Sequence, residues 1–373
     1  MKKRILFITQ SLARTGSEVL LWYLLGTLDP AKYEIFVFCS NKGELYDLLP
    51  EYVQKNVRYK NSPIFLERVL RRVVRFLGQD PLSYQLNSIH KKFKPDIWYI
   101  NTIALSDVYE AGKVLNVKMV THIHELLNAF TLISRDGLSK IISHSATCIA
   151  CSEIVSETLI NLGHPDVRLQ YSFVDTDAIA TDATKISHIK HDLGILPEDF
   201  VWVLAGGATY MKGLDRVLPI LEYFKDTTIK ILWLGAQFDS GLDFYVKTVA
   251  DLKYPGRLIF GGVQGEDYYN YLSVANGFLL LSREESFSMV MVEAAWLGVP
   301  VVAFDVGIAQ RFISRDMGFV VNEGALKEFI SCMQTVQTNP NTIDRAALRQ
   351  AAENYSLKQQ LPKFEALLAE LCN

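Results

Sequence analysis

The sequence predicts an α/β chain built from two doubly wound domains, and three observations lead there. Short apolar runs alternate with helical patterns from end to end, the signature of a parallel sheet covered by helices on both faces. The alternation runs through the chain twice, and 373 residues suffice for two cores of roughly 100 to 200 residues each. The composition, 49% hydrophobic and 21% charged, is that of a packed protein and excludes disorder as the main state.

Strands are expected at 4–9, 34–39, 96–101, 118–123 and 147–151 in the first half, and at 201–205, 229–234, 258–260, 278–281 and 299–304 in the second. The first follows Lys2-Lys3-Arg4 and imitates the charged and apolar regions of a secretory leader. Thr9, Gln10, Ser11 and Arg14 interrupt the apolar run too soon for that, so a buried strand is expected. Nowhere do about 18 apolar residues follow one another, so no spanning helix is expected. Residues 175–199, ending in Pro197-Glu198-Asp199, read as a linker with a small entry helix. The expected domains are therefore 1–178 and 179–355. The closing segment 356–373 reads as a helix with Leu357, Leu361, Phe364, Leu367, Leu368 and Leu371 on one side.

With 38 Lys and Arg against 41 Asp and Glu, the net charge of −3 speaks against a nucleic-acid partner, which demands a basic excess. The near-neutral total conceals a basic segment, because 55–94 holds ten Lys and Arg residues against Glu67 and Asp80. Within it Leu66, Val69, Leu70, Val73, Val74 and Leu77 recur at helical spacing, while Arg68, Arg71, Arg72 and Arg75 fill much of the rest. Such a helix over 65–77 either lies on an anionic membrane surface or packs its apolar side on the first sheet, and the pattern allows both. The five cysteines, Cys39, Cys148, Cys151, Cys332 and Cys372, are odd in number and scattered, the usage of reduced thiols in a cytoplasm. Cys148-Ile149-Ala150-Cys151 has the spacing of a redox or zinc pair. It sits in an apolar run without a second pair, so buried structural thiols are expected.

The chemistry-bearing residues follow predicted strands. After the strand ending near Leu281, a polar loop carries Glu285, and Ser288 is placed to cap a helix that begins at Met289 and ends at Gly298. A free helix N-terminus suits a diphosphate, and Glu285 and Glu293, on loop and helix, can face one ligand there. Either glutamate could equally be an ordinary surface residue. Lys212 stands in Gly206-Gly207-Ala208-Thr209-Tyr210-Met211-Lys212-Gly213, a glycine-bearing strand-to-helix loop where backbone and a cation can approach a phosphate. Asp175-Thr176-Asp177 spells a carboxylate pair that can grip a divalent metal, but its place before the linker reads as a turn or helix cap.

Together these segments resemble a known family. Glu285-x7-Glu293, preceded by Leu281-Ser282-Arg283 and followed by Ala294-Ala295-Trp296-Leu297-Gly298-Val299-Pro300, looks like the donor-binding signature of the retaining glycosyltransferases of family 4. Thr15-Gly16-Ser17-Glu18 resembles the family's glycine-rich acceptor-side loop, and His122-Ile123-His124-Glu125-Leu126 its strand-end histidine motif. Lys212-Gly213 matches its phosphate-binding pair, and Gly261-Gly262-Val263 and Asp305-Val306-Gly307 match two further loops. The resemblance implies the GT-B fold, two Rossmann-like domains facing each other across a cleft, with the last helix crossing back onto the first. It implies transfer of a sugar from a UDP-, GDP- or ADP-linked donor to an acceptor hydroxyl, with retention at the anomeric carbon and without metal or cofactor. The acceptor would be a carbohydrate or a lipid-linked sugar, in surface polysaccharide, glycolipid or glycoconjugate synthesis, in the cytoplasm or at the inner membrane face.

By the same resemblance, Lys212 and the helix start at Ser288 and Met289 would neutralise the diphosphate, with Gly207, Gly262, Arg283 and Phe287 on the donor side. Glu293 would hold the ribose, Glu285 would hold sugar hydroxyls or position the acceptor, and His124 would touch the sugar. Gly16, Ser17 and His122 fall on the acceptor side. His122 competes with His124 for the sugar, strand alternation being expected to turn the two imidazoles to opposite faces. The chain also departs from the pattern. The family's arginine falls at Gly207, with Arg283 or Arg14 as substitutes; Ile308 and Gln310 replace a Gly and a Glu; Ser286 and Ser288 stand where glycine or proline is usual. These departures support a catalytically weak partner subunit as the alternative. A dinucleotide-dependent oxidoreductase is a further rival, but Gln10 to Gly16 lacks the Gly-x-Gly-x-x-Gly turn.

Overall fold

The computed structural model describes residues 2–14, 16–340 and 343–373. The chain divides into two units, Met1–Ser172 with Gln360–Asn373, and Phe173–Gln359. In the first, β1 (Lys3–Thr9), β2 (Tyr33–Cys39), β3 (Gln54–Val57), β4 (Ile97–Ile100), β5 (Met119–Ile123), β6 (Thr147–Ala150) and β7 (Val167–Leu169) form one parallel sheet in the order β3-β2-β1-β4-β5-β6-β7. Its central strands are covered on both faces: Ile5 to Ile8 and Ile97 to Ile100 are wholly buried, which is why they read as continuous apolar runs.

The second unit repeats the plan with β8 (Phe200–Ala205), β9 (Ile229–Leu234), β10 (Leu258–Gly262), β11 (Gly277–Leu280), β12 (Val301–Phe304) and β13 (Gly318–Val321), in the parallel order β10-β9-β8-β11-β12-β13. Strand order reverses between β1 and β4 in one sheet and between β8 and β11 in the other. A crevice opens at the carboxyl ends of the strands where such a reversal occurs, and ligands of doubly wound sheets bind there.

Three strands escape the sequence pattern, β3, β7 and β13, and all are sheet edges. Two of them are short and carry polar or charged residues, as Gln54-Lys55-Asn56-Val57 and Val167-Arg168-Leu169 show, and so leave no apolar run, whereas β13, Gly318-Phe319-Val320-Val321, is apolar but only four residues long. The division falls at 172/173 rather than after 178. Phe173 and Val174 are buried, the Val174 N–H donates to the Tyr355 carbonyl at 2.9 Å, and Leu357 N–H donates to the Val174 carbonyl at 2.8 Å. The expected entry helix is Ala183–Asp192, its first turn capped by the Asp182 carboxylate.

The last helix, Leu357–Leu371, starts in the second unit and supplies the first from Gln360 onward. Phe364 and Leu368 are wholly buried, the Phe364 ring stands edge-on to Tyr99 at 5.9 Å, and Lys3 Nζ donates to the Cys372 carbonyl at 3.0 Å. The helix Phe65–Phe76 does not pack its apolar side on the sheet. Val74 is buried, but Phe65, Leu66, Val73, Phe76 and the following Leu77 face solvent, Leu66 at 75% and Phe76 at 89% exposure. Cys148, within β6, and Cys151, which follows it, are buried thiols outside any disulfide, and burial pushes the Cys148 thiol up to about 12, which makes it inert.

Candidate active site

In the first unit the reversal point gathers three loops. After β1, the Ser11 hydroxyl donates to Glu18, a buried carboxylate in the first turn of the helix Gly16–Thr27. Gly16 and Ser17 open that helix, whereas Thr15 lies outside the described residues. The residue after β4 is Asn101, whose Nδ2 donates to the Ser17 carbonyl at 3.2 Å and whose Oδ1 lies 3.1 Å from His124 Nε2. Because the amide nitrogen is committed to Ser17, Oδ1 is the acceptor. His124 therefore carries its hydrogen on Nε2 and keeps a lone pair on Nδ1.

His122 and His124 stand ring against ring, 3.9 Å between centroids. The expectation of opposite faces is corrected here: side chains two apart along an extended chain share a face. The Tyr99 hydroxyl bonds His122 Nδ1 at 2.6 Å, and burial holds the Tyr99 pKa well above its ordinary value, so the phenol donates. His122 is 1% exposed, and its buried Nε2 has no hydrogen-bond partner. It supports His124 from behind. Burial pushes both imidazole pKa values down, His124 adding to the effect on His122, so both rings are neutral. Glu125 accepts from the Thr102 hydroxyl at 2.5 Å and from the His124 N–H at 2.9 Å, which pins the strand end.

In the second unit the corresponding point joins the loops after β8 and β11. Gly213 has φ +81°, and a Cβ there would lie 2.3 Å from the Leu281 carbonyl oxygen. Only glycine lets the two loops touch this closely. The contact delivers Lys212 Nζ to Glu285 Oε1 at 2.5 Å, and the Ser282 hydroxyl donates to the same oxygen at 2.6 Å. Sequence reasoning had Lys212 and Glu285 as separate motifs; the fold makes them one ion pair.

Ser288 occupies the cap position of the helix Met289–Trp296 but does not cap it. It is left-handed, φ 80° and ψ 73°, and its buried hydroxyl has no hydrogen-bond partner. A non-glycine residue in that conformation is strained, which explains why glycine suits the position. Met291 N–H donates to the Ser288 carbonyl at 3.2 Å, and the orphaned hydroxyl stands beside the helix start, where leading N–H groups have no intrahelical partner and serve as donors.

Glu293 lies further along that helix, 8% exposed, accepting from the Tyr268 hydroxyl at 2.9 Å and from Tyr269 at 3.5 Å. Burial pushes its pKa up to about 7. The two glutamates thus sit in distinct clusters, one on Lys212 and Ser282, the other on the two tyrosines. Arg283 is not free to replace the missing arginine: its guanidinium clasps Asp215 at 2.7 and 2.9 Å and stacks 3.6 Å from the Tyr210 ring. Arg14, in the first unit, pairs with Glu44 at 3.3 Å. At Gly207 the ring of Phe238 takes the adjoining space, 2.9 Å from where a Cβ would be. Gly262 ends β10 and its carbonyl accepts from Gly235 N–H at 2.8 Å. Phe287 turns its ring inward against Tyr355 and can offer a ligand only backbone. Asp175-Thr176-Asp177 runs into a single 3-10 turn at Thr176–Ala178, and no cluster of three or more metal-ligating side chains exists among the described residues.

Comparison with known proteins decides the family. The family model described as Glycosyltransferase Family 4 matches residues 14–178, and the one described as Glycosyl transferases group 1 matches 199–339. The chain belongs to the family 4 glycosyltransferases. Among curated members, it is 27% identical over 207 residues to the alpha-galactosylglucosyldiacylglycerol synthase of Streptococcus pneumoniae, covering 54% of this chain and 53% of that one. It is 26% identical over 220 residues to the N-acetyl-alpha-D-glucosaminyl L-malate synthase of Bacillus anthracis, covering 56% and 55%. The match thus spans about half the length of these relatives. Among solved structures, the Anabaena protein HepE in complex with UDP-glucose superposes with a TM-score of 0.80 at 19% identity, over 98% of this chain and 99% of that one. Sucrose-phosphate synthase from Thermosynechococcus elongatus gives 0.78 at 15%, over 99% of each. The two parallel α/β units are those of the GT-B glycosyltransferase fold.

For a family 4 glycosyltransferase, the residues that sequence reasoning missed are the supports: Asn101 and Tyr99 behind the histidines, Ser282 on Glu285, and Tyr268 and Tyr269 on Glu293. All but Ser282, which reaches Glu285 three residues on, act through a contact between distant segments. The one local signal was position, since Asn101 directly follows the apolar strand β4 and Ser282 comes two residues after the apolar strand β11.

Proposed function

We propose that the protein is a retaining, metal-independent glycosyltransferase that takes a nucleotide-diphosphate sugar on its second unit and an acceptor hydroxyl on its first. The observation that carries this reading is the Lys212–Glu285 pair, together with the donors left at Ser288, at the strand reversal of the second sheet. A diphosphate would draw Lys212 Nζ from Glu285 and meet the Ser288 hydroxyl and the helix start. As the bond from the anomeric carbon to the diphosphate oxygen breaks, charge grows on that oxygen, where fixed donors stabilise it. The acceptor oxygen bonds to the anomeric carbon on the face the diphosphate leaves, and its proton passes to the departing oxygen. Glu285, released from Lys212, would hold sugar hydroxyls, and Glu293 would accept from the ribose. His124, neutral, would hold the sugar through a hydrogen bond and deliver no proton. Gly207, Gly262, Phe287 and Met289 would contribute backbone, and Arg283 would brace the Lys212 loop through Asp215.

A lipid-borne acceptor at an anionic membrane surface fits the exposed apolar side of Phe65–Phe76, and one curated relative is named for a diacylglycerol glycolipid. The Phe238 ring beside Gly207 and the commitment of Arg283 to Asp215 favour a second reading, a partner subunit with weak catalysis.

One experiment separates the readings: thermal melting with UDP, GDP, ADP or NAD. One nucleoside diphosphate should stabilise the protein, by about 2.7 kcal/mol at a hundred times its dissociation constant. Lys212→Ala and Glu293→Ala should each weaken that effect at least tenfold. No shift with any nucleotide supports the partner subunit, and a shift with NAD alone removes the transferase.

A further inference from the structure

Beside the exposed helix Phe65–Phe76 lies a recess of about 280 Å3 that no donor or acceptor residue lines. Arg58 and Lys60, which follow β3, and Arg71 and Arg75, from the helix, surround it. We propose that this recess seats the phosphate of an anionic lipid while the helix lies in the bilayer surface, an inference that rests on the membrane reading above.

The floor of the recess is rigid. Gln85 is 1% exposed; its Nε2 donates to Asn56 Oδ1 at 2.6 Å and to the Val57 carbonyl at 2.8 Å, while its Oε1 accepts from Tyr59 N–H at 2.9 Å. One buried amide therefore fixes the strand end that presents Arg58 and Lys60. Asp80, the acid in the lining, is occupied capping the helix Pro81–Phe93 through Ser83 N–H at 2.8 Å. Arg58 is held by Asp107 at 2.8 Å, whereas Lys60, Arg71 and Arg75 have no ion-pair partner among the described residues. Even with the Asp80 carboxylate in the lining, Lys60, Arg71 and Arg75 leave the recess net positive, a charge that an anion would balance.

The helix says which anion. At 100° per residue, Leu66, Leu70, Val73 and Leu77 form one exposed stripe, with Phe65 and Phe76 widening it. Arg71 and Arg75 occupy the opposite flank, toward the recess. An apolar stripe that enters acyl chains would bring the cationic flank to the depth of the phosphates, which a free anion would not require.

The test uses the full chain and vesicles of phosphatidylcholine with and without phosphatidylglycerol. The protein should co-sediment with the anionic vesicles. Arg71→Ala with Arg75→Ala should weaken that binding about 30-fold, at roughly 1 kcal/mol per cation. Lys91→Ala with Lys92→Ala, an equal loss of charge from the same basic segment, should weaken it much less. Equal weakening by both pairs overturns the recess and leaves a diffuse basic surface. No sedimentation with either vesicle overturns the membrane reading beneath it. Inorganic phosphate that stabilises the wild type but not the Arg71/Arg75 variant, without vesicle binding, reassigns the recess to free phosphate. Nucleotide-induced stabilisation should be unchanged in either variant, so the donor assignment is tested independently.

Discussion

Glu293 shows how one buried carboxyl ties stability to ligand chemistry. Its pKa rises from an ordinary 4.5 to about 7 because burial penalises the charge, which the Tyr268 and Tyr269 hydroxyls only partly offset. Between those values the folded chain binds more protons than the unfolded one. Stability therefore falls as pH rises through that window, by roughly 3 kcal/mol in all. Glu293→Gln should flatten the dependence and be the more stable protein at pH 8, as read by urea unfolding at several pH values; parallel curves for the two proteins would refute this. If ribose hydroxyls donate to the carboxylate, donor binding below pH 7 should also release a proton, measurable by calorimetry in buffers of different ionisation enthalpy. The residue scale is also where sequence reading stopped. Lys212 was legible from the glycines of its strand-to-helix loop, and Glu285 and Glu293 from their spacing across a loop and the helix that follows it. Tyr99, Asn101, Tyr268 and Phe238 were not, because each matters through a partner far away in sequence. The left-handed Ser288 was mistaken for a capping side chain because φ is not written in residue type.

Among the elements, the loop pair after β8 and β11 depends on one missing atom. Gly213→Ala must either force the left-handed backbone onto alanine or push the Leu281 carbonyl away, and both move Lys212 off Glu285. Nucleotide-induced stabilisation should drop at least tenfold. Gly256→Ala is the control, with a similar φ of +71° but open space around its Cβ: it should cost about 1 kcal/mol and leave nucleotide binding intact. Equal effects from both substitutions would show that backbone strain, rather than the contact, governs the loop. Most strands could be read from apolar runs because both sheets are covered on both faces. β3 and β7 could not, because these short edges carry polar and charged residues, whereas β13 was passed over although its four residues are apolar. The helix Phe65–Phe76 was legible as a helix, but not its exposure: the pattern states that one side is apolar and is silent on what that side meets.

At the scale of the whole molecule, the first unit is discontinuous in sequence. No helix among the described residues is long and apolar enough to cross a membrane. The helix that completes the first unit stands on Phe364, wholly buried against Tyr99, which in turn holds His122. Phe364→Ala should cost roughly 3 to 5 kcal/mol. Hydrogen exchange should show the loss in β1, β4 and β5 while β8 to β12 keep their protection; a uniform loss over both sheets would contradict two separately cored units. The same discontinuity sets an order in time. On the ribosome, residues 1–172 emerge first yet wait for 360–373, whereas 173–359 is contiguous and has all its strands earlier. The unit synthesised second can therefore finish folding before the unit synthesised first, whose complete sheet stays uncovered where Phe364 and Leu368 pack until residues 360–373 arrive, and is open to aggregation meanwhile.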